Sequence, residues 1–387
     1  MSVKKKIGVV ITARASYSRC KTALEAIRDH ESLELMLIVT ASALLGRFGN
    51  AAKVMEDDGF TITARVYNVV ESGNLTGQVK TTGLGMIELA NVFDSLKPDV
   101  VVTIADRYET MSTAITAAYM NIPLAHIQGG EVTGNIDEKV RHAITKLADL
   151  HLVSTTRAKE RVLKMGEAEN LVYVTGCPSI DLAHAVQERE AIDLNFNPYN
   201  YGGVGSQPAL GDGYLVVMQH PVTSEFGLAR EHIEETLWAV EELKIPALWF
   251  WPNIDAGSDG TSNGIRAFRE IRKPEKIHFF KNMPPTQFLQ LLKGSKALIG
   301  NSSVGIRECS YLGVPIVNIG SRQKGRERGA NTIDVSYDRH EIISAVRQQL
   351  AHGPYSGEQI YGQGNAGVAI ADILAKAELQ SDKRITY

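Results

Sequence analysis

Three carboxylates have the types and spacing to do acid/base work: Asp106, Glu131 and Asp137. Asp106, followed by Arg107, ends the apolar run Val100–Ile104. Glu131 closes the turn His126-Ile127-Gln128-Gly129-Gly130-Glu131, whose glycines let backbone approach a ligand closely. Asp137 opens a helix-period segment in which Arg141 stands one turn later, and Glu138 and His142 share the same spacing. Carboxylates converging in one place repel, which pushes a pKa upward and gives a site both an acid and a base near neutral pH. Local sequence also allows plainer roles, a capping Asp beside a surface Arg and helix-stabilising pairs.

A second set of residues suits a diphosphate. Arg14, Ser16, Ser18 and Arg19 crowd the expected turn between the first apolar run and the first helix, where guanidinium groups and free N–H groups favour anions. Gly300-Asn301-Ser302-Ser303 places hydroxyls at a helix start, and Glu308 farther along that helix has the chemistry to accept ribose hydroxyls. His220, in Gln219-His220-Pro221-Val222-Thr223, is expected at a strand tip because the following proline disfavours helix there. Asn253 follows the run ending at Trp251, and Arg322 lies in the cationic stretch Gly320–Arg326. No G-x-G-x-x-G fingerprint is present.

The elements that must position these residues are legible as apolar runs alternating with helix-period segments. Strands are expected at Ile7–Thr12, Glu34–Thr40, Val100–Ile104, Leu124–Ile127, His151–Ser154 and Leu171–Val174, with helices such as Tyr17–Asp29 and Thr110–Met120 between them. The pattern weakens over 188–212, then resumes with strands Tyr214–Gln219, Ala247–Trp251, Lys276–Phe280, Ala297–Gly300 and Val314–Ile319 and helices Ser224–Leu243, Thr286–Lys293 and Val304–Leu312. Continuous apolar strands separated by helices mean parallel sheets covered on both faces. The expectation is an α/β protein with two doubly wound Rossmann-like domains, 1–187 and 213–365. Residues 188–212 would link them, and a C-terminal helix in 366–387 would cross back to the first. Ligands of such sheets bind at the carboxyl ends of strands, here in a cleft between the domains.

The 387 residues are 44% hydrophobic and 22% charged, ordinary globular composition. A net charge of -3 gives no reason to expect nucleic acid. Three dispersed cysteines form neither a disulfide framework nor a zinc pattern, so no metal is expected and the reducing cytoplasm fits best. The first apolar run is too short for a membrane span, so no membrane association is expected.

Seven motifs in order resemble the hydrolysing UDP-N-acetylglucosamine 2-epimerases, a family with the GT-B fold. They are the Asp106-Arg107 pair, the His126–Glu131 turn, Ile136–Leu147, Gln219–Thr223, Pro252–Ser258, Gly300–Glu308 and Tyr361–Ala366. The resemblance implies removal of UDP from UDP-GlcNAc by anti elimination and hydration of the resulting glycal to ManNAc, in sialic-acid-type biosynthesis. It implies no cofactor, a small-molecule UDP-sugar as the partner, and a homodimer or homotetramer. By position it makes Asp106, Glu131, Asp137, Arg141 and His220 catalytic. It gives substrate contacts to Arg14, Ser18, Arg107, Gln128, Asn253, Ser302, Ser303, Glu308 and Arg322. Some relatives have a glutamate where this chain has Gln128, so the carboxylate that takes the C2 proton is Asp106 or Glu131. Open alternatives are the same chemistry on UDP- or GDP-N,N'-diacetylbacillosamine, a non-hydrolysing 2-epimerase, a GT-B glycosyltransferase, and a non-catalytic sugar-nucleotide binding protein.

Overall fold

The computed structural model describes residues 3–46, 49–70, 75–133, 136–188, 193, 195–252, 257–379 and 383–386. The chain divides into two compact units. The first comprises Met1–Glu131, Asp137–Asp181 and Tyr361–Tyr387, and the second Val132–Ile136 and Leu182–Ile360.

In the first unit, β1 (Lys5–Ile11), β2 (Leu33–Thr40), β3 (Ile62–Val66), β4 (Val100–Ile104), β5 (Leu124–Ile127), β6 (Leu150–Val153) and β7 (Val172–Val174) form one sheet. Its order is β3-β2-β1-β4-β5-β6-β7, and every pair is parallel. All five residues of β4 and all four of β5 are buried, as a sheet covered by helices on both faces requires. Each Val or Ile so buried contributes on the order of 1.5–3 kcal/mol. The order reverses at β1, whose neighbours are β2 and β4, so the topological switch point lies between β1 and β4.

In the second unit, β8 (Val204–Gly205), β9 (Leu215–Met218), β10 (Ala247–Phe250), β11 (Ile277–Phe280), β12 (Ala297–Gly300), β13 (Ile316–Ile319) and β14 (Thr332–Val335) make a sheet ordered β14-β13-β12-β9-β10-β11-β8. Only β8 runs antiparallel, and it lies inside the stretch expected as linker. The switch point here falls between β9 and β12. Two doubly wound units are the architecture anticipated from the alternating pattern.

The C-terminal helix Ala366–Lys376 belongs to the first unit and packs on helix Arg14–Asp29. A Cβ on Gly367 would stand 2.6 Å from the backbone of Thr22, so the helices touch backbone to backbone. Asp181 accepts from the amides of Ala366 and Gly367 at 2.9 and 2.7 Å and closes the helix start. Lys5 Nζ reaches the carbonyls of Leu374 and Ala377 at the other end.

Three helices differ from expectation. The first begins at Arg14 with Ala13 as its N-cap, so Arg14 through Arg19 are helical rather than part of a turn. Ser224–Leu243 is a 3-10 turn, Thr223–Leu228, followed by helix Ala229–Leu243, because Glu225 leaves helical geometry. Val304–Leu312 is two short helices, Ser303–Ile306 and Glu308–Leu312, broken at Arg307.

Candidate functional site

In the first unit the polar groups gather at the switch point. Asp106 follows β4 after Ala105, whose φ of 63° is a left-handed conformation that costs a non-glycine residue free energy. Gln128 after β5 (φ 66°) and Ala41 after β2 (φ 50°) share it. Strained residues at the ends of β2, β4 and β5, on both sides of β1, mark where this sheet does something other than pack.

Arg141 is the hub. It lies on helix Ile136–Leu147, and 1% of it is exposed. One amino group meets the Asp106 carboxylate, and Nη1 donates to the Glu131 carbonyl oxygen at 2.9 Å. Arg19 Nη1 stands 4.0 Å from the other Asp106 oxygen, so a residue following β1 and one following β4 face the same carboxylate across the switch point. Asp106 is therefore held between two guanidinium groups. Glu131 is also buried, and its Oε1 accepts from the Ser154 hydroxyl at 3.0 Å. A buried cation thus stands against the Asp106 carboxylate, while its contact with Glu131 is to the backbone carbonyl. Asp137 is half-buried in the first turn of the Arg141 helix. Glu138 and His142 pair at 3.4 Å as their spacing suggested.

The remaining predicted residues of this unit divide. Arg107 pairs with buried Glu109 at 3.1 Å. Arg14 is half-buried, and loss of water pulls its guanidinium down to about 10. A cation already stripped of solvent gains more from an incoming anion. The Ser18 hydroxyl bonds back to the Arg14 carbonyl at 3.3 Å, a consequence of the helix starting earlier than expected. Gln128 is 1% exposed, and its amide nitrogen donates to Cys177 Sγ at 2.9 Å. Gly130 is required where it stands: its φ is 74°, and a Cβ would strike the Ala158 carbonyl. His126 bridges the Ala105 carbonyl (2.9 Å) and the Thr145 hydroxyl (3.2 Å), and burial pushes it down to about 4, so it is a neutral strut under Asp106.

Sequence reasoning missed Ser154, Glu109, Cys177 and the partnership of Arg19 with Asp106. Ser154 had a signal, since it ends an expected strand. The Arg141–Asp106 pairing had none, because it depends on which strand neighbours which.

In the second unit, His220 follows β9 and Asn301 follows β12, the two strands flanking its switch point. The Asn301 side chain clasps the His220 backbone, accepting from its N–H at 2.7 Å and donating to its carbonyl at 2.8 Å. Arg322 and Gln323 both donate to the Asn301 carbonyl, at 3.3 and 2.8 Å. Gly300 turns the chain with φ 132°, and a Cβ there would enter the Met218 carbonyl. Ser302 caps the following short helix, accepting from the Val304 amide at 3.4 Å, and Ser303 opens it. Glu308 is buried just after the break at Arg307. Asn253 lies outside the described residues. A neighbouring group unforeseen in sequence joins Ser321 to Glu225 at 2.5 Å and stacks His232 on Tyr337 at 3.6 Å. Among the described residues no cluster of His, Cys, Asp or Glu is suited to a metal ion, and no helix is long and apolar enough to cross a membrane.

Two doubly wound units, each with charged and polar groups gathered at its own switch point, define a GT-B-type α/β protein. The fold is shared with the crystal structure of a UDP-GlcNAc 2-epimerase from Neisseria meningitidis bound to UDP-GlcNAc, with a TM-score of 0.79 at 18% identity over 96% of this chain and 100% of that one. The family model for UDP-N-acetylglucosamine 2-epimerases matches residues 25–375, and the chain belongs to that family. It is 29% identical over 379 residues (97% of each chain) to a hydrolysing UDP-N,N'-diacetylbacillosamine 2-epimerase of Legionella pneumophila. It is 33% identical over 338 residues (86% of this chain, 84% of the other) to a hydrolysing GDP/UDP-N,N'-diacetylbacillosamine 2-epimerase of Campylobacter jejuni.

Proposed function

We propose that the protein is a hydrolysing 2-epimerase of UDP-GlcNAc, releasing ManNAc and UDP. The observation that carries this reading is the buried Asp106–Arg141–Glu131 cluster at the first switch point of a chain in this family. In the elimination, the C1–O bond breaks and its electron pair leaves with UDP, while the C2 proton passes to a carboxylate and a C1–C2 double bond forms. In the hydration, a water hydroxyl adds to C1 and a proton returns to C2 on the opposite face. Asp106 or Glu131 takes the C2 proton, and Asp137 acts as the second acid/base group. Arg141 pairs with Asp106 and orients its carboxylate. Arg14, Arg107, His220, Asn253, Ser302, Ser303, Glu308 and Arg322 are the groups assigned to the nucleotide, and the cations among them suit charge on the departing diphosphate. Gln128, tied to Cys177, positions the sugar. No metal or cofactor enters this chemistry. The reading includes a homo-oligomer, and three free buried cysteines support a reducing, cytoplasmic setting.

A second reading changes only the sugar. The two relatives above act, by their names, on diacetylbacillosamine nucleotides.

Proton NMR in D₂O with UDP-GlcNAc and UDP-diacetylbacillosamine, without acceptor, tests both. Released UDP with a free sugar deuterated at C2 is the expected result, and the substrate turned over identifies the sugar. A nucleotide-linked epimer, or binding without UDP release, overturns the hydrolysing reading.

A further inference from the structure

Glu167, which has no part in the proposed reaction, is a carboxylate taken out of water, with 5% of it exposed. Three nitrogens meet it. Lys146 Nζ donates to Oε1 at 2.5 Å, and His151 Nε2 and Lys383 Nζ stand 2.9 and 2.7 Å from Oε2. A buried carboxylate persists only when paired, and these partners come from three parts of the first unit. His151 lies on β6. Lys146 lies in the last turn of helix Ile136–Leu147, which also carries Asp137 and Arg141. Lys383 comes from the C-terminal stretch 383–386.

Lys383 does more than pair. Its Nζ also donates to the carbonyl of Thr145 at 3.2 Å and to that of Ala148. The last carbonyls of a helix have no partner within it, and the helix dipole favours a cation there. Lys383 is thus a C-terminal cap brought in from a remote part of the chain. Neighbouring contacts seat it. The Thr386 amide donates to the Gly166 carbonyl at 2.9 Å. Gly166 has a φ of 83°, and a Cβ on it would stand 2.9 Å from Ile385 Cγ2, so the stretch lies directly against the residue before Glu167.

Thr145 links this cap to the candidate site. Its hydroxyl donates to the Arg141 carbonyl at 3.0 Å and meets His126 Nδ1 at 3.2 Å, and His126 Nε2 reaches the Ala105 carbonyl next to Asp106. Thr145, whose carbonyl Lys383 holds, therefore touches both the backbone of Arg141 and the strut under Asp106. Misplacing a group that acts on substrate by about 1 Å can cost on the order of 10²-fold in rate, so the seat of this helix matters to the chemistry. We infer that Lys383 is a positioning residue: by capping helix Ile136–Leu147 against Glu167, it fixes where Asp137 and Arg141 stand. The inference rests on the proposed reaction, in which those two residues act.

The full chain and its variants Lys383→Met, Lys383→Arg and Arg384→Met are compared in three ways: steady-state release of UDP from the UDP-sugar, calorimetry with UDP, and hydrogen exchange over residues 142–149. Lys383→Met leaves Glu167 paired with Lys146 and His151, so the chain should fold, and circular dichroism checks this. It is expected to lower kcat about tenfold while KM and the UDP dissociation constant change less than about twofold. Exchange should quicken by about tenfold or more. Lys383→Arg keeps a cation that can reach Glu167 and the carbonyls, and should bring kcat back to within about threefold of wild type. Arg384→Met, at an exposed neighbour, should match wild type. Wild-type kcat in Lys383→Met, a loss that falls on KM alone, or an arginine variant no better than the methionine one overturns the inference. A wild-type chain that releases no UDP overturns the reaction, and this role with it, while faster exchange in Lys383→Met would still show the cap.

Discussion

Replacing Arg141 by methionine removes a buried cation while keeping most of its volume. Among the groups that lose it are the Asp106 carboxylate and the Glu131 carbonyl. Breaking one side of a buried ion pair costs about 3–5 kcal/mol, because the remaining charge is left out of water without a counter-charge. Arg19 is still 4.0 Å away and partly exposed, which holds the loss toward the lower end. The orphaned carbonyl adds about 1–3 kcal/mol. The expected destabilisation is therefore roughly 4–6 kcal/mol. Trp238, Trp249 and Trp251 all lie in the second unit, so tryptophan emission is blind to the change. Hydrogen exchange at the amides of β4 and β5 is local to it, and protection there should fall about 10²-fold or more. Adding Asp106→Asn removes the stranded charge and should recover about half of the loss, a coupling of roughly 2–3 kcal/mol in the cycle. Protection within threefold of wild type in Arg141→Met, or no recovery in the double variant, refutes the buried pair.

Two further perturbations follow from neighbouring groups. His126 holds a folded pKa of about 4 against an ordinary 6.5, so below pH 6.5 the unfolded chain binds a proton that the folded chain refuses. Its contribution is complete above pH 6.5 and is lost as pH falls toward 4, on the order of 3 kcal/mol in all. His126→Gln should flatten the acid slope of unfolding free energy across that window, and an unchanged slope contradicts the assignment. Gln128→Glu exchanges the amide that donates to Cys177 for a buried carboxylate with no proton to give. UDP release should fall at pH 7.5 and partly recover toward pH 6 as the new acid protonates and donates again. A flat pH profile of kcat/KM would show that this contact does not hold the turn.

The central strands were legible because they are buried on both faces and so read as unbroken apolar runs. The edge strands β3 and β14 escaped detection. Their residues alternate or stay half-exposed, as in Ile62-Thr63-Ala64-Arg65-Val66, and a half-covered edge has no continuous apolar signature. The strand-end positions of Asp106, Glu131, His220 and Ser302 were readable for the same reason as the strands that end there. Side-chain partnerships between elements were not, although the i,i+4 pair of Glu138 and His142 was. Sequence spacing sets Arg141 one turn from Asp137, but nothing in that spacing reveals that Arg141 also meets Asp106, whose strand β4 lies between β1 and β5. The break at Arg307 was equally hidden, since helix periodicity runs through it unaltered.

The carboxylates bear the chemical claim, and the most direct measurement is the rate of UDP release from UDP-GlcNAc by Asp106→Asn, Glu131→Gln and Asp137→Asn, with UDP affinity measured alongside by calorimetry. Loss of a group that moves a proton should lower kcat by about 10²–10⁴ while UDP affinity changes only a few-fold. Turnover near that of the wild type in both Asp106→Asn and Asp137→Asn would contradict the account.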